Sequence, residues 1–404
     1  MFHFRFFIVV VVAFVLGSCS ERASEGEQLK SSPEAEAFNT NNNRFGLAMF
    51  QQLNQKKENQ QNIVVSPVSA AMASGMTLNG TGGETRRQLA DVLGWQDMTD
   101  KQVNEYHKRL INYYNQHSGD ISLNIANAIW NDREVDVFPE FIRTNKEYFS
   151  AFHNQSENQD FVSEINDWVQ RSTQGNIKEM MKGSRPGDML YILNATYFRG
   201  DWKHEFNASQ TKDSYFYLED GSKKPTRMMW QKADLNYYRN GIFQMVELPY
   251  ENESFSMYIL LPDSTVDMNR LASNLDMETW QRHKNNLSRK RNINFGMPRF
   301  SCEYSVGMKE LMESMGIRDL FDNDEVNLSG ISDQPVSISE VMHKAAIDVD
   351  EKGTEATAAT SLAKSFTTLV DDKPFNLVVN RPFIFAIEEK KSNAMLFVGK
   401  ISNP

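Results

Sequence analysis

Apolar positions along the chain fall into two regimes. In the first half they recur at helical spacing. Phe45, Ala48, Met49 and Leu53 open a first amphipathic helix, and Pro67 to Asn79 (PVSAAMASGMTLN) is apolar on most faces, the pattern of a buried helix. Glu84–Leu93, Gln102–Tyr114, Phe161–Gln170 and Tyr304–Met315 carry the same period with charged outer faces. In the second half, aromatic and β-branched residues mark strands at Met189–Phe198, Phe243–Leu248, Ser254–Leu261, Ile293–Phe300 and Phe375–Ile387. Met395–Ile401 reads as a buried closing strand. Helices in front and long antiparallel-type strands behind predict an α+β fold.

The N-terminus follows a different logic. Arg5 precedes an unbroken apolar run from Phe6 to Leu16, 11 residues long. A bilayer span needs about 20, so the run reads as the core of an export signal. Leu16-Gly17-Ser18-Cys19 then resembles the lipobox of bacterial lipoproteins, in which cleavage falls before the cysteine and its sulfur is lipidated. The plainer alternative is a signal peptide with an incidental cysteine. Residues 1–18 are thus assigned as signal. From Ser20 to Asn43 almost nothing is apolar, so residues 19–43 are expected to form a flexible tether. The folded part, 44–404, contains no further linker and no internal repeat, which predicts one unusually large domain.

Composition narrows the function classes. The 404 residues carry 43 Lys+Arg against 53 Asp+Glu, a net charge of −10 that argues against nucleic acid as the main partner. Only Cys19 and Cys302 are present, which excludes a disulfide scaffold and a four-thiolate metal site. With Cys19 lipidated, Cys302 is expected to act as a small buried apolar group.

A search for catalytic constellations returns none. No Gly-x-Ser-x-Gly, His-Glu-x-x-His, Cys-x-x-Cys or Walker loop occurs, and no two histidines stand at a ligand-like i, i+4 spacing. No metal or cofactor is expected. Gly80-Thr81-Gly82-Gly83 follows a helix rather than a strand and reads as a turn. The basic stretch Arg282–Arg291 lacks interleaved aromatics and reads as a solvated loop.

One segment resists a structural reading. Glu351-Lys352-Gly353-Thr354-Glu355-Ala356-Thr357-Ala358-Ala359-Thr360 lies between two strand-like blocks and is mostly Ala, Gly and Thr. Such residues contribute little burial and are costly to fix. It is either a surface linker or a segment that slides into a tightly packed sheet in a second state. With a period of two, Thr354, Ala356, Ala358 and Thr360 would face inward and Glu355 outward, and four small inward positions avoid overpacking.

EKGTEATAAT resembles the reactive-loop hinge of inhibitory serpins, the serine-protease-inhibitor family. Asn62-Ile63-Val64-Val65-Ser66-Pro67-Val68-Ser69, Asn194 to Trp202 (NATYFRGDW), Leu328-Ser329-Gly330, His343-Lys344-Ala345, Val379 to Phe385 (VNRPFIF) and Leu396 to Pro404 (LFVGKISNP) are similar to further family landmarks, in the family's order. The resemblance implies three β-sheets with eight or nine helices and an exposed reactive loop, here about 351–378. It implies no turnover: a protease forms its acyl-enzyme on the loop, which then inserts into the central sheet and distorts the enzyme.

By resemblance, Glu351 at the loop base pairs with Arg299, and Trp202 lies where the loop enters. Ser66, Ser69, Asn194 and His343 form a polar cluster where strands must part. Read alone, His343 would be a core histidine and Ser66/Ser69 a helix cap. None is expected to be catalytic. Gly353, Thr354, Ala356, Ala358 and Ala359 are permissive hinge residues, whereas Thr357 departs from the family's usual alanine and would face outward. Thr367 is the seventeenth residue counted from Glu351, making Thr367–Thr368 the nominal reactive bond. Phe366–Thr367 has equal weight by residue type, and Lys364–Ser365 less. The implied partners are serine proteases of elastase-, chymotrypsin- or subtilisin-like preference, with cysteine proteases also open. The chain is expected to be a monomer that touches membrane only through its lipid. It would be an outer-membrane lipoprotein of a Gram-negative bacterium, facing the periplasm or the outside. The alternative is a non-inhibitory carrier or binding protein of the same fold.

Overall fold

In a computed structural model of the chain, residues 33–56, 62–116, 121–157, 161–354 and 375–404 are described. The first elements are helix α1 (Pro33–Gln55), strand β1 (Ile63–Val65) and helices α2 (Pro67–Leu78), α3 (Gly83–Leu93) and α4 (Asp100–Gln116). Strand β2 (Ile121–Asp132), α5 (Pro139–Phe149), β3 (Phe152–Ser156), α6 (Phe161–Ser172) and β4 (Leu190–Asp201) follow. Next come β5 (Lys212–Tyr217), β6 (Lys223–Arg239), β7 (Phe243–Pro249), β8 (Phe255–Pro262) and helices α7 (Met268–Ser273) and α8 (Met277–Asn285). The chain closes with β9 (Ser288–Pro298), β10 (Phe300–Gly307), α9 (Lys309–Met315), β11 (Ile338–Val349), β12 (Gly353–Thr354), β13 (Phe375–Val378), β14 (Phe383–Glu389) and β15 (Ala394–Ile401).

The fold is α+β, with nine α-helices among the described residues. A central six-stranded sheet runs β10-β11-β12-β4-β2-β3. The other strands form one hydrogen-bonded network, β1-β15-β14-β8-β7-β6-β9-β13, with β5 on β6. The 17-residue strand β6 divides this network. Its C-terminal end joins β7, while its remainder, with β5, β9 and β13, makes a small third sheet. Helix α2 is buried along its whole length and packs on α1, β4, β11 and β15, joining the sheets through one core.

Several expectations from sequence need correction. The first described helix covers Pro33–Gln55, so residues 33–43 are helix rather than tether, and residues 19–32 lie outside the described residues. Ala35 and Phe38 are buried there, and Asn39, Asn41 and Asn43 make side-chain hydrogen bonds, whereas buried Asn42 makes none. Asn43 Nδ2 donates to Asn393 O at 2.7 Å and Asn43 Oδ1 accepts from Met395 N at 2.8 Å, docking the helix on the β14–β15 turn. The polar composition was a sign of specific pairing, not of disorder.

Tyr304–Gly307 is strand, and only Lys309–Met315 is helical, because this stretch pairs with β11 throughout. Phe375–Ile387 is two strands interrupted at Pro382, a residue that supplies no N–H for a ladder. Arg282–Arg291 is no loop. Arg282–Lys284 end α8, which Trp280 buries against the sheet, and Arg289–Arg291 lie in β9. Lys284 pairs with the fully buried Glu388. Cys302 is free and buried, its thiol pushed up to about 12 chiefly by burial and then by Glu303.

Two imidazoles are sealed in the interior, His107 within the rings of Phe38, Trp95 and Phe149 and His343 in the central sheet. Burial lowers both pKa values from 6.5 to about 3. Between those values the unfolded chain binds protons that the folded chain refuses. Stability is therefore complete above pH 6.5 and falls as pH drops towards 3, by up to about 1.4 kcal/mol per pH unit for each ring. Chemical denaturation at pH 6.5 and 4.5 should show a loss of about 2–3 kcal/mol per ring, and His107→Gln should remove one ring's share.

Candidate functional site

The central sheet contains a seam. Strands β4 and β11 pair in parallel from Leu190/Ile338 to Tyr197/Ala346, and there the direct pairing stops. Beyond it the two strands part, and the two-residue strand β12 lies between them. Thr354 is opposite Gly200 on one side and Val349 on the other, while Gly353 is opposite Asp201. The chain reverses into this position through a turn set by Asp350, whose Oδ1 accepts from Lys352 N at 2.8 Å and Gly353 N at 3.2 Å. Glycine is required here by close approach: a Cβ on Gly353 would stand 2.1 Å from Gly200 O.

Aromatic side chains line the head of the seam. Trp202, at the end of β4, donates its backbone N–H to Lys352 O at 2.7 Å and its indole N–H to Asp350 O at 3.0 Å. Its ring stacks on Tyr250 with centroids 4.6 Å apart. Tyr250 is fully buried, and its hydroxyl shares a 2.8 Å hydrogen bond with Thr354 Oγ1. Trp202 therefore sits beneath the Asp350–Gly353 turn. Tyr250 and Asp350 were not singled out from sequence. Tyr250 lies 104 residues from Thr354 in a stretch with no motif, and only the β7–β8 hairpin brings it there.

Beside the turn, Arg299 and Glu351 meet. Arg299 Nη2 is 2.6 Å from Glu351 Oε2, and Nε donates to Oε1 at 2.8 Å. This bidentate geometry is the strong form of such a pair. Thr211 Oγ1 donates to the same carboxylate. Burial alone would push the Glu351 carboxyl up, but these donors hold it below the usual glutamate range.

Further down the seam a row of buried polar groups crosses three strands. His343 on β11 is opposite Asn194 on β4, which is opposite Asn127 on β2. His343 Nδ1 donates to Asn194 Oδ1 at 2.7 Å, and Nε2 accepts from Ser66 N at 3.1 Å, which assigns the neutral tautomer. Ser69 Oγ donates to Asn194 Oδ1 at 2.8 Å, and Asn194 Nδ2 donates to Asn127 Oδ1 at 2.7 Å. Ser66 Oγ also caps α2 by accepting from Ser69 N at 3.3 Å. All four predicted residues come together, so the plain cap and core-histidine readings hold within the same cluster. Asn127 was missed, because Asn124, Asn127 and Asn131 hide a strand that twelve residues of backbone pairing define.

Ala356, Ala358, Ala359, Thr360, Lys364, Phe366, Thr367, Thr368 and Cys19 lie outside the described residues. Among the described residues no cluster of His, Cys, Asp or Glu suits a metal ion.

A family model described as serpin (serine protease inhibitor) matches residues 40–404. The leukocyte elastase inhibitor of Homo sapiens is 30% identical over 91% of this chain and 100% of its own. An uncharacterized serpin-like protein of Methanosarcina mazei is 30% identical over 98% of this chain and 97% of its own. Among solved structures, the thermophilic serpin tengpin in its native state superposes with a TM-score of 0.82 at 28% identity, covering 93% of this chain and 96% of its own.

Replacing Arg299 by Ala removes the charged partner of Glu351 and leaves it the Thr211 hydroxyl and a backbone N–H. Because Arg299 is half exposed, screening limits the expected loss to about 1 kcal/mol. That loss should be measured above pH 4.5 by urea denaturation. It should vanish as pH falls through the depressed Glu351 pKa, where the carboxylate no longer needs a partner.

Proposed function

The chain belongs to the serpin family, and from that premise we propose that it is a suicide-substrate inhibitor of extracellular serine proteases, with cysteine proteases left open by the same acyl chemistry. The carrying observation is the seam whose head already holds Gly353 and Thr354 while its lower part is zipped. In the proposed reaction a protease serine attacks the loop carbonyl, the following amine leaves with a proton, and an acyl ester forms. The freed loop then enters between β4 and β11 before water can attack the ester.

Register arithmetic supports this reading. Continuing the antiparallel pairing of Thr354 with Gly200 brings Thr360 level with Asn194 and Lys364 level with Leu190, the first residue of β4. An inserted strand must therefore unzip four pairs, Ala346–Tyr197 down to His343–Asn194, before Thr360 reaches the polar row. The same arithmetic favours Thr367–Thr368 or Phe366–Thr367 over Lys364–Ser365. A protease joined at Thr367 is carried three residues, roughly 10 Å, farther than one joined at Lys364. We assign small-pocket, elastase-like enzymes to the first bond and chymotrypsin- or subtilisin-like enzymes to the second.

Incubation with such enzymes should give a denaturant-resistant complex on gels, and mass spectrometry of the released C-terminal fragment should find it beginning at Thr368 or Thr367. Thr354→Arg should turn the inhibitor into a substrate, since an unpaired charge beside buried Tyr250 opposes the first step. Clean cleavage of the wild type across a broad panel favours the carrier alternative, and unchanged trapping by Thr354→Arg defeats the hinge assignment.

We also propose that Cys19 is lipidated and tethers the monomeric inhibitor to the outer membrane of a Gram-negative bacterium, facing the periplasm or the exterior. The support is the small-residue site before Cys19 after an 11-residue apolar run. Cys19→Ala should shift the protein from the membrane to the soluble fraction; a variant that stays with membranes overturns the anchor.

A further inference from the structure

Two residues of strand are little to hold a chain end in place. Strand β12 has few backbone bonds to offer, and at 353 it carries no side chain. Thr354 supplies the remaining contact, and that contact is polar. Among the described residues, the Tyr250 and Thr354 hydroxyls are hydrogen-bonded to one another, 2.8 Å apart and fully buried. Separating them leaves two hydroxyls without water or a partner.

Tyr250 is also held more rigidly than its partner. Its ring stacks on Trp202 at 4.6 Å and meets Phe198 edge-on at 5.1 Å, while its backbone bridges to Trp202 and its N–H donates to Phe255 O at 3.0 Å. Gly200, facing Thr354, leaves room for the ring: a Cβ there would stand 3.0 Å from Tyr250 Cδ1. The tyrosine is a fixed post, and Thr354 is the part that can leave.

We propose that the Tyr250 hydroxyl is a latch that holds the hinge in the sheet before any cleavage, and so sets how much loop a protease can engage. Its consequence for inhibition rests on the inhibitory reading above; its effect on the hinge does not. With the latch closed, twenty residues (355–374) span from Thr354 to Phe375. Opening it adds Gly353 and Thr354 to that span, roughly 7 Å of reach. The same bond draws the hinge inward once cleavage has occurred, so opening it trades readier attack for a slower first step of insertion. Tyr250 acts through Thr354 and is a positioning residue.

The test is amide hydrogen exchange at Gly353 and Thr354 in the full chain, which needs no protease. Tyr250→Phe keeps the ring and its stack but removes the hydroxyl, and exchange at both amides should quicken about tenfold. Thr354→Val alone should do the same, which covers the case in which Tyr250→Phe fails to fold. Combining Y250F with T354V should give exchange no faster than either single variant, because both remove the same bond, whereas separate losses of packing would add. Exchange unchanged in the single variants, or effects that add in the pair, overturns the latch. Against a protease that the wild type traps, Y250F should associate a fewfold faster and need more inhibitor per enzyme trapped. A wild type that traps nothing defeats the inhibitory reading alone, with the latch still decided by the exchange rates.

Discussion

The seam between β4 and β11 is the constraint to which the rest of the molecule answers. Two parallel strands are joined by a full ladder over most of their length, yet forced apart at one end by two residues of the chain that follows β11. A sheet in that condition has an obvious place for one more strand and an equally obvious cost of admitting it. The helix beneath, α2, is buried along its length; Ser66 at its cap and Ser69 face the seam, while Ser74 and Thr77 bond back to the helix itself. The polar row lies where β4 and β11 still pair directly, and a buried network whose bonds are met rigidifies the sheet around it.

The polar row and the hinge anchor work at opposite ends of this problem. His343, Asn194, Asn127 and the two serines satisfy one another completely, so the closed seam carries no unpaired group in this row. The neutral state of His343 is imposed by burial, which also makes the row sensitive to acid. At the head, Arg299 and Thr211 fix Glu351 outside the slot while Asp350 folds the chain back into it. The turn is thereby positioned by charge and backbone geometry, and the entering residues are selected by size. Gly353 is there because nothing larger fits against Gly200.

The aromatic post of Trp202 and Tyr250 links these two ends to the neighbouring sheet. Tyr250 comes from the turn between β7 and β8, so the fit of the hinge depends on packing between two sheets rather than on the central sheet alone. Lys284 and Glu388 show the same economy elsewhere, an ion pair buried where helix α8 meets the sheet and supported by the Trp280 indole. Such pairs are costly to desolvate and are tolerated where every donor and acceptor is met.

Much of this was legible in the sequence. Periodicity located α2, α3, α4 and α6 and most strands of the second half, because burying one face leaves a repeat of fixed length. The small-residue run after Glu351 drew attention to Gly353 and Thr354, the part of it that is described and lies between β4 and β11. The strands β2, β6 and β11 escaped notice, because asparagines, lysines and a buried polar row break their alternation. The early start of α1 escaped for a similar reason, since an asparagine that is buried and fully bonded looks in composition like one in solvent. Sequence by itself determined the fold class and named four of the five residues of the polar row, His343, Asn194, Ser66 and Ser69. Only the tertiary structure decided that the hinge is already seated between β4 and β11, and that Tyr250 meets it. Those facts depend on the register of non-local strands, and register leaves no mark on the order of residues along the chain.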